Sequence, residues 1–167
     1  MNRKIILLNG PSSSGKSTLS KTLKELIASK RSENYEVVSI DDFMKVSTSE
    51  TIYEDDVYEI SGEMCEKVRE LYSAGNGVII DHVITSERIY DQLIDSMAPD
   101  KVDTVHIVCA LDVLLKREEE RGDRCVGSAE ASFTYLYPKE GYDVEVDTGN
   151  LSSSEAAQKI FDTLFAK

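Results

Sequence analysis

Gly10-Pro11-Ser12-Ser13-Ser14-Gly15-Lys16-Ser17 decides the reading of this 167-residue chain. The stretch fits G-x-x-x-x-G-K-[ST], in which backbone N–H groups are turned inward to cradle phosphates. Gly10 and Gly15 let the chain fold back without a Cβ in the path of the anion. Lys16 supplies a point charge for β- and γ-phosphates, and the Ser17 hydroxyl is placed to ligate Mg²⁺. Thr18 continues into a helix whose positive dipole end faces the same anion. The flanks support the motif: Lys4-Ile5-Ile6-Leu7-Leu8 reads as a buried strand, and Leu19, Leu23, Leu26 and Ile27 recur at helical spacing.

Outward from this loop, apolar strands alternate with amphipathic helices. The first strand is expected at about Lys4 to Asn9, and its helix runs to about Lys30. A second strand, Glu36 to Ile40, ends at Asp41-Asp42, and about Phe43 to Asp56 reads as a loop or short helix. Val57, Ile60, Met64, Val68 and Leu71 mark a helix stopped by Ala74-Gly75-Asn76-Gly77. Val78 to Ile80 is a short strand ending at Asp81-His82, and Ser86 can cap a helix carrying Ile89, Leu93 and Met97. Val105 to Leu111 is a fourth strand, and Asp112 is expected to cap a charged helix that Gly122 ends. Asp123 to Tyr137 reads as a weaker helix and Val144 to Val146 as a fifth strand. Ser152-x-x-Glu155 is a capping box for the last helix. The expected fold is α/β, a five-stranded parallel sheet with helices on both faces, in one domain spanning 1–167.

Composition narrows the function classes. With 41% hydrophobic residues the chain can bury a proper core. Net charge is −12, from 31 acidic against 19 basic residues, which argues against nucleic acid or an anionic membrane as partner. Cys65, Cys109 and Cys125 are scattered, so neither a disulfide framework nor a zinc site is indicated. The apolar start is too short for a signal peptide and runs into the phosphate loop. No stretch could span a bilayer, so a cytoplasmic protein is expected. Nothing in the sequence selects an oligomeric state.

In an open parallel sheet, ligands sit beyond the C-terminal strand ends. Three ends carry useful groups here: the phosphate loop, Asp41-Asp42 and Asp81-His82. A carboxylate at such a place can hold Mg²⁺ through water or take a proton from an attacking hydroxyl. Asp41, directly after the second strand, is the first choice for the base, with Asp42 next. Asp81 closes an apolar run and looks like a Walker-B-type position, and His82 is a candidate substrate contact. Each aspartate taken singly could merely cap a turn, and a lone histidine is more often structural. Arg117, Arg121 and Arg124, spaced by four and three, can share a helical face. Such arginines are commonly solvated or paired with glutamates, yet phosphoryl transfer also needs mobile cations that close over developing charge. Arg121-Gly122-Asp123-Arg124 therefore suits a lid at about 117–137.

These pieces occur in a telling order: residues 6–17, Ile40-Asp41-Asp42, Val78-Ile79-Ile80-Asp81, Arg121-Gly-Asp-Arg124 and Tyr142-Asp-Val-Glu-Val-Asp-Thr148. Together they resemble the chloramphenicol phosphotransferase family of P-loop kinases over nearly the whole chain. The resemblance implies a P-loop NTPase fold with nucleotide-monophosphate-kinase-like topology. It implies transfer of the ATP γ-phosphate to a small-molecule hydroxyl, with Mg²⁺. It also implies Asp41 as general base, Arg121 and Arg124 in the lid, and Asp147-Thr148-Gly149 near the adenine. The chain departs from the family between Phe43 and about Gly62, which is short and acidic here, so the resemblance carries phosphotransfer further than it carries chloramphenicol.

Other readings are a kinase of a nucleoside, sugar or nucleotide sugar, including the UDP-sugar kinases related to zeta toxins. From different classes come a GTP-binding switch and a nucleotide-binding module without catalysis. The switch would need Asn-Lys-x-Asp, which this sequence lacks. Intact Lys16, Ser17 and Asp41 and the arginines of the expected lid speak against the module.

Overall fold

The computed structural model describes residues 3–44 and 53–166. β1 (Ile5–Asn9), β2 (Tyr35–Ser39), β3 (Gly77–His82), β4 (Val102–Val108) and β5 (Val144–Asp147) form one sheet in the order β2-β3-β1-β4-β5. All four pairings are parallel. Among the described residues, six α-helices connect and cover the strands: α1 (Lys16–Arg31), α2 (Glu54–Ser73), α3 (Glu87–Met97), α4 (Leu111–Arg121), α5 (Ser128–Tyr135) and α6 (Ser153–Leu164).

The two faces follow from the strand period. Ile6 and Leu8 of β1 pack with Leu19, Leu23 and Ile27 of α1 and with Ala156, Ala157 and Ile160 of α6. Ile5 and Leu7 point the other way, to Met64 and Val68 of α2 and to Ile89, Leu93 and Met97 of α3. A central strand buried on both sides needs an unbroken apolar run, which is what β1 has. Register then aligns the useful ends: Leu8 lies opposite Asp81, Asn9 opposite His82 and His106, and Ser39 opposite Asp81.

Several expected boundaries move. β4 starts at Val102 and ends at Val108, about three residues earlier than Val105 to Leu111. An apolar run alone does not mark where a chain leaves a sheet, and Leu111 is already helical. Asp112 is not the cap of α4. Ala110 holds that place without a side-chain bond, and Asp112 lies in the first turn, where its charge suits the dipole. The helix read from Asp123 to Tyr137 is only Ser128–Tyr135. Gly122 (φ 69°) ends α4 and Gly127 (φ 97°) precedes α5, both left-handed, so the chain between them is not helical. β2 stops at Ser39, and Ile40–Asp42 forms a 3₁₀ turn. Of the stretch read as a loop or short helix, residues 45–52 lie outside the described residues. Among the described residues no helix is long and apolar enough to cross a membrane.

Gly77 opens β3 against the ring of Tyr35, which is fully buried and accepts a hydrogen bond from the Lys4 N–H at 2.9 Å. A Cβ on Gly77 would stand 2.3 Å from two ring carbons. Gly77→Ala should therefore destabilise the fold by about 1–3 kcal/mol, read as a lower urea midpoint at unchanged slope.

Candidate active site

The phosphate loop leaves β1 at Asn9 and becomes α1 at Lys16. Gly10 has no room for a side chain, since a Cβ would meet that of Ile107 at 2.5 Å. Gly15, at φ 89°, is the N-cap of α1. Lys16 is buried, donates to the Pro11 carbonyl at 2.9 Å, and has its pKa lowered by desolvation, against the pull of Asp81 and Asp41. Ser17 donates to the Asp81 carboxylate at 3.0 Å, and Ser39 donates to the same oxygen at 3.4 Å. The Ser39 hydroxyl also accepts from the Asp41 N–H at 3.3 Å, so one serine joins the Asp81 carboxylate to the turn bearing Asp41.

Asp41 and Asp42 part company in that turn. Asp41 pairs with Arg124 at 2.5 Å, whereas Asp42 is exposed and lines neither cavity described below. The division arises from the roughly 120° step between successive side chains of a 3₁₀ turn. Arg121 reaches Asp123 at 3.1 Å and the Ser13 hydroxyl at 3.5 Å. Arg117 donates to the Thr148 carbonyl at 2.9 Å, and Thr148 donates its hydroxyl to the Ser14 carbonyl at 2.6 Å. The loop after β5 is thereby tied to the phosphate loop.

Two cavities meet at this sheet edge. One, of about 640 Å³, runs along Ser12–Thr18 past Asp41 and Asp81 to Arg117, Thr148 and Ser152. The other, of about 540 Å³, is walled by Ile40, Met44, Val57, Val83, Ile89 and Tyr135, with Glu54, Thr85, His82, Ser128 and Ser132 among its polar groups. They share Ser12, Ile40, Asp41, Val83 and Arg124. Lys16, Ser17, Asp81, Arg117, Arg121, Arg124, Thr18 and Thr148 are thus gathered on one cleft, with Asp41 at its junction with the second cavity.

Sequence reasoning missed Ser39, Asn9 and Ser132. Asn9 is fully buried, donates to the Tyr137 carbonyl and the Tyr142 hydroxyl, and accepts from the Ile84 N–H. A polar residue ending an apolar strand was the available signal for Asn9 and Ser39. Ser132, in a weakly patterned helix, offered none.

His82 borders the second cavity, but both ring nitrogens are engaged. Nδ1 accepts from the Val83 N–H at 2.8 Å, which places the proton on Nε2, 3.2 Å from the Ser61 hydroxyl. Burial, reinforced by the nearby Lys16 charge, pushes its pKa down to about 3. An unfolded chain protonates this ring below about pH 6.5, whereas the folded one stays neutral, so this residue's contribution to stability falls as pH drops from about 6.5 toward 3. The stability gap between wild type and His82→Gln should narrow by about 1.4 kcal/mol per pH unit across that window. Urea titrations at several pH values check this, and a constant gap would show that the imidazole is not held neutral.

A family model described as chloramphenicol phosphotransferase-like protein matches residues 3–165. No curated protein sequence matches the chain. Among solved structures, the chain is similar to an APS kinase of Mycobacterium tuberculosis in complex with AMPPNP and APS, with a TM-score of 0.78, 18% identity and 98% of each chain covered. It is similar to a gluconokinase of Sinorhizobium meliloti, with a TM-score of 0.76, 17% identity, and 97% of this chain and 91% of that one covered. A tunicamycin resistance protein of Deinococcus radiodurans superposes with a TM-score of 0.68 at 21% identity, covering 96% of this chain and 94% of that one. At such identities the likeness is one of fold, that of P-loop kinases. The family match spans nearly every residue, and the chain belongs to the chloramphenicol phosphotransferase-like family.

Proposed function

We propose that the protein is an ATP-dependent kinase that transfers the γ-phosphate to the hydroxyl of a small, largely uncharged acceptor. The observation that carries this reading is the common wall of the two cavities, where Asp41 and Arg124 stand between the phosphate loop and a mixed apolar and polar chamber. The residues present fit a nucleotide and its metal. Ser14 keeps a buried hydroxyl with no partner in the loop, Gly10 leaves backbone where a side chain would intrude, and Ser17 with Asp81 is a hard-oxygen pair suited to Mg²⁺. When bound, ATP supplies the transferable phosphoryl group and Mg²⁺ the charge that screens it.

The chain's own residues divide the remaining work. The loop backbone and Lys16 hold the phosphates. Arg117, Thr148 and the segment to Ser152 border the far end of the cleft, where a base would lie. Asp41 accepts the proton of the acceptor hydroxyl on its carboxylate as the oxygen attacks. The α4–α5 segment serves as the lid, and Arg124 leaves its ion pair with Asp41 as Arg121 and Arg124 move to the developing charge.

The second cavity also bears on the acceptor. Among its described lining residues, Arg124 is the one cation and is already paired, while Asp41 and Glu54 are carboxylates. Such a chamber disfavours a carboxylate-, sulfate- or phosphate-bearing acceptor and favours a neutral alcohol with an apolar body. Gluconate should therefore be a poorer acceptor than neutral amphipathic alcohols, chloramphenicol among those to be assayed, by about tenfold or more in kcat/KM. A preference for gluconate would reverse this part of the reading.

Lys16→Ala should lower ATP turnover by about 10²–10³-fold. Asp41→Asn keeps shape and most hydrogen bonding but removes the basic oxygen, so transfer should fall by about 10²–10⁴-fold while ATP-analogue affinity holds within a few-fold. Asp42→Asn should leave both nearly unchanged. Calorimetry with AMPPNP beside a coupled ADP-release assay reads these outcomes. Near wild-type transfer by Asp41→Asn would remove it as the base.

A further inference from the structure

Ser132 stands where the phosphate loop meets α5. It is buried, and its hydroxyl proton is committed within its own helix, to the Ser128 carbonyl at 2.7 Å with Ala129 at 3.1 Å. A lone pair therefore faces outward, and it accepts the backbone N–H of Ser12 at 2.9 Å. The bond joins residues 120 positions apart and ties α5 to the loop itself.

A second contact makes α5 one piece with α4. Glu118, a buried carboxylate on α4, accepts the Ala129 N–H at 2.8 Å and the Gly127 N–H at 3.3 Å. Those are free donors at the start of α5, where a carboxylate is also favoured by the helix dipole. The turn carrying Arg124 is closed on both sides by this stitch, and Arg121 precedes it at the end of α4. Beside the side-chain ties of Arg121 to the Ser13 hydroxyl and of Arg124 to Asp41, the Ser12–Ser132 bond fixes the arm to the loop backbone itself.

We infer that Ser132 is a positioning residue: its hydrogen bond to Ser12 sets where Arg121 and Arg124 stand relative to the phosphates, resting on the kinase reading for its catalytic consequence. Phosphoryl transfer depends on cations placed within a fraction of an ångström, so a small slip of the arm acts on the transition state more than on ground-state nucleotide binding. Ser132→Ala removes the acceptor. Ser132→Cys keeps nearly the same volume, but sulfur is a weak acceptor. Ser132→Thr retains the hydroxyl.

The experiment compares these three variants with wild type in two measurements. The first is hydrogen exchange of the nucleotide-free protein, which does not depend on any activity. Residues 118–131 should exchange about tenfold faster in Ser132→Ala and Ser132→Cys, with the central strands unchanged, and Ser132→Thr should match wild type. The second is hydrolysis of MgATP to ADP and phosphate, with water as the acceptor, in which Ser132→Ala and Ser132→Cys should lose about tenfold in kcat with KM for ATP held within about twofold. Unchanged exchange over 118–131, equal acceleration throughout the chain, or a rise in KM at constant kcat would each overturn the assignment. If wild type neither bound AMPPNP nor hydrolysed MgATP, the kinase reading would fall on its own, and the exchange data would still decide whether Ser132 is the tether.

Discussion

Five strands that all run one way must end at one edge, and β1 sits in the middle of them. Its parallel pairing with β3 on one side and β4 on the other brings the phosphate loop level with Asp81 and beside the turn that carries Asp41. The pairing holds because β1 is apolar on both faces and has helices over each. A register slip of one residue would turn Leu8 and Asp81 to the wrong faces and undo the Ser17–Asp81 contact with them. The chemistry at the edge thus depends on burial in the sheet's centre.

Charge is organised against the chain's own excess. A protein of net charge −12 collects Lys16, Arg117, Arg121 and Arg124 around a single cleft. Burial lowers the pKa of Lys16, while Asp81 and Asp41 support its charged form. Arg124 is neutralised by Asp41, and Arg121 by Asp123. Each of these pairs sets a cation of the cleft against a carboxylate of the same chain, so the resting site is locally balanced.

Much of the fold was legible because its signals are local. The phosphate loop, the five strands, the αL stop at Gly122, the Ser86 cap and the Ser152–Glu155 capping box are each written in a few consecutive residues. The end of β4 and the break inside 123–137 were not, since an apolar run does not count its own sheet partners and a weak helical pattern does not reveal two left-handed glycines. The separation of Asp41 from Asp42 had a similar origin. It follows from the 3₁₀ turn at Ile40–Asp42, which an apolar strand pattern does not announce.

By itself, then, the sequence determined the parallel α/β class, the phosphate loop and the set of strand-end carboxylates, all of which rest on short-range periodicity and turn chemistry. Only the tertiary structure decided which groups meet: Asp41 with Arg124 across 83 positions, Ser39 with Asp81 across 42, Ser12 with Ser132 across 120. Those partners are separated in the chain by whole helices and strands. Their meeting is set by sheet order and by the packing of α4 and α5 over the loop, neither of which leaves a mark on neighbouring residues.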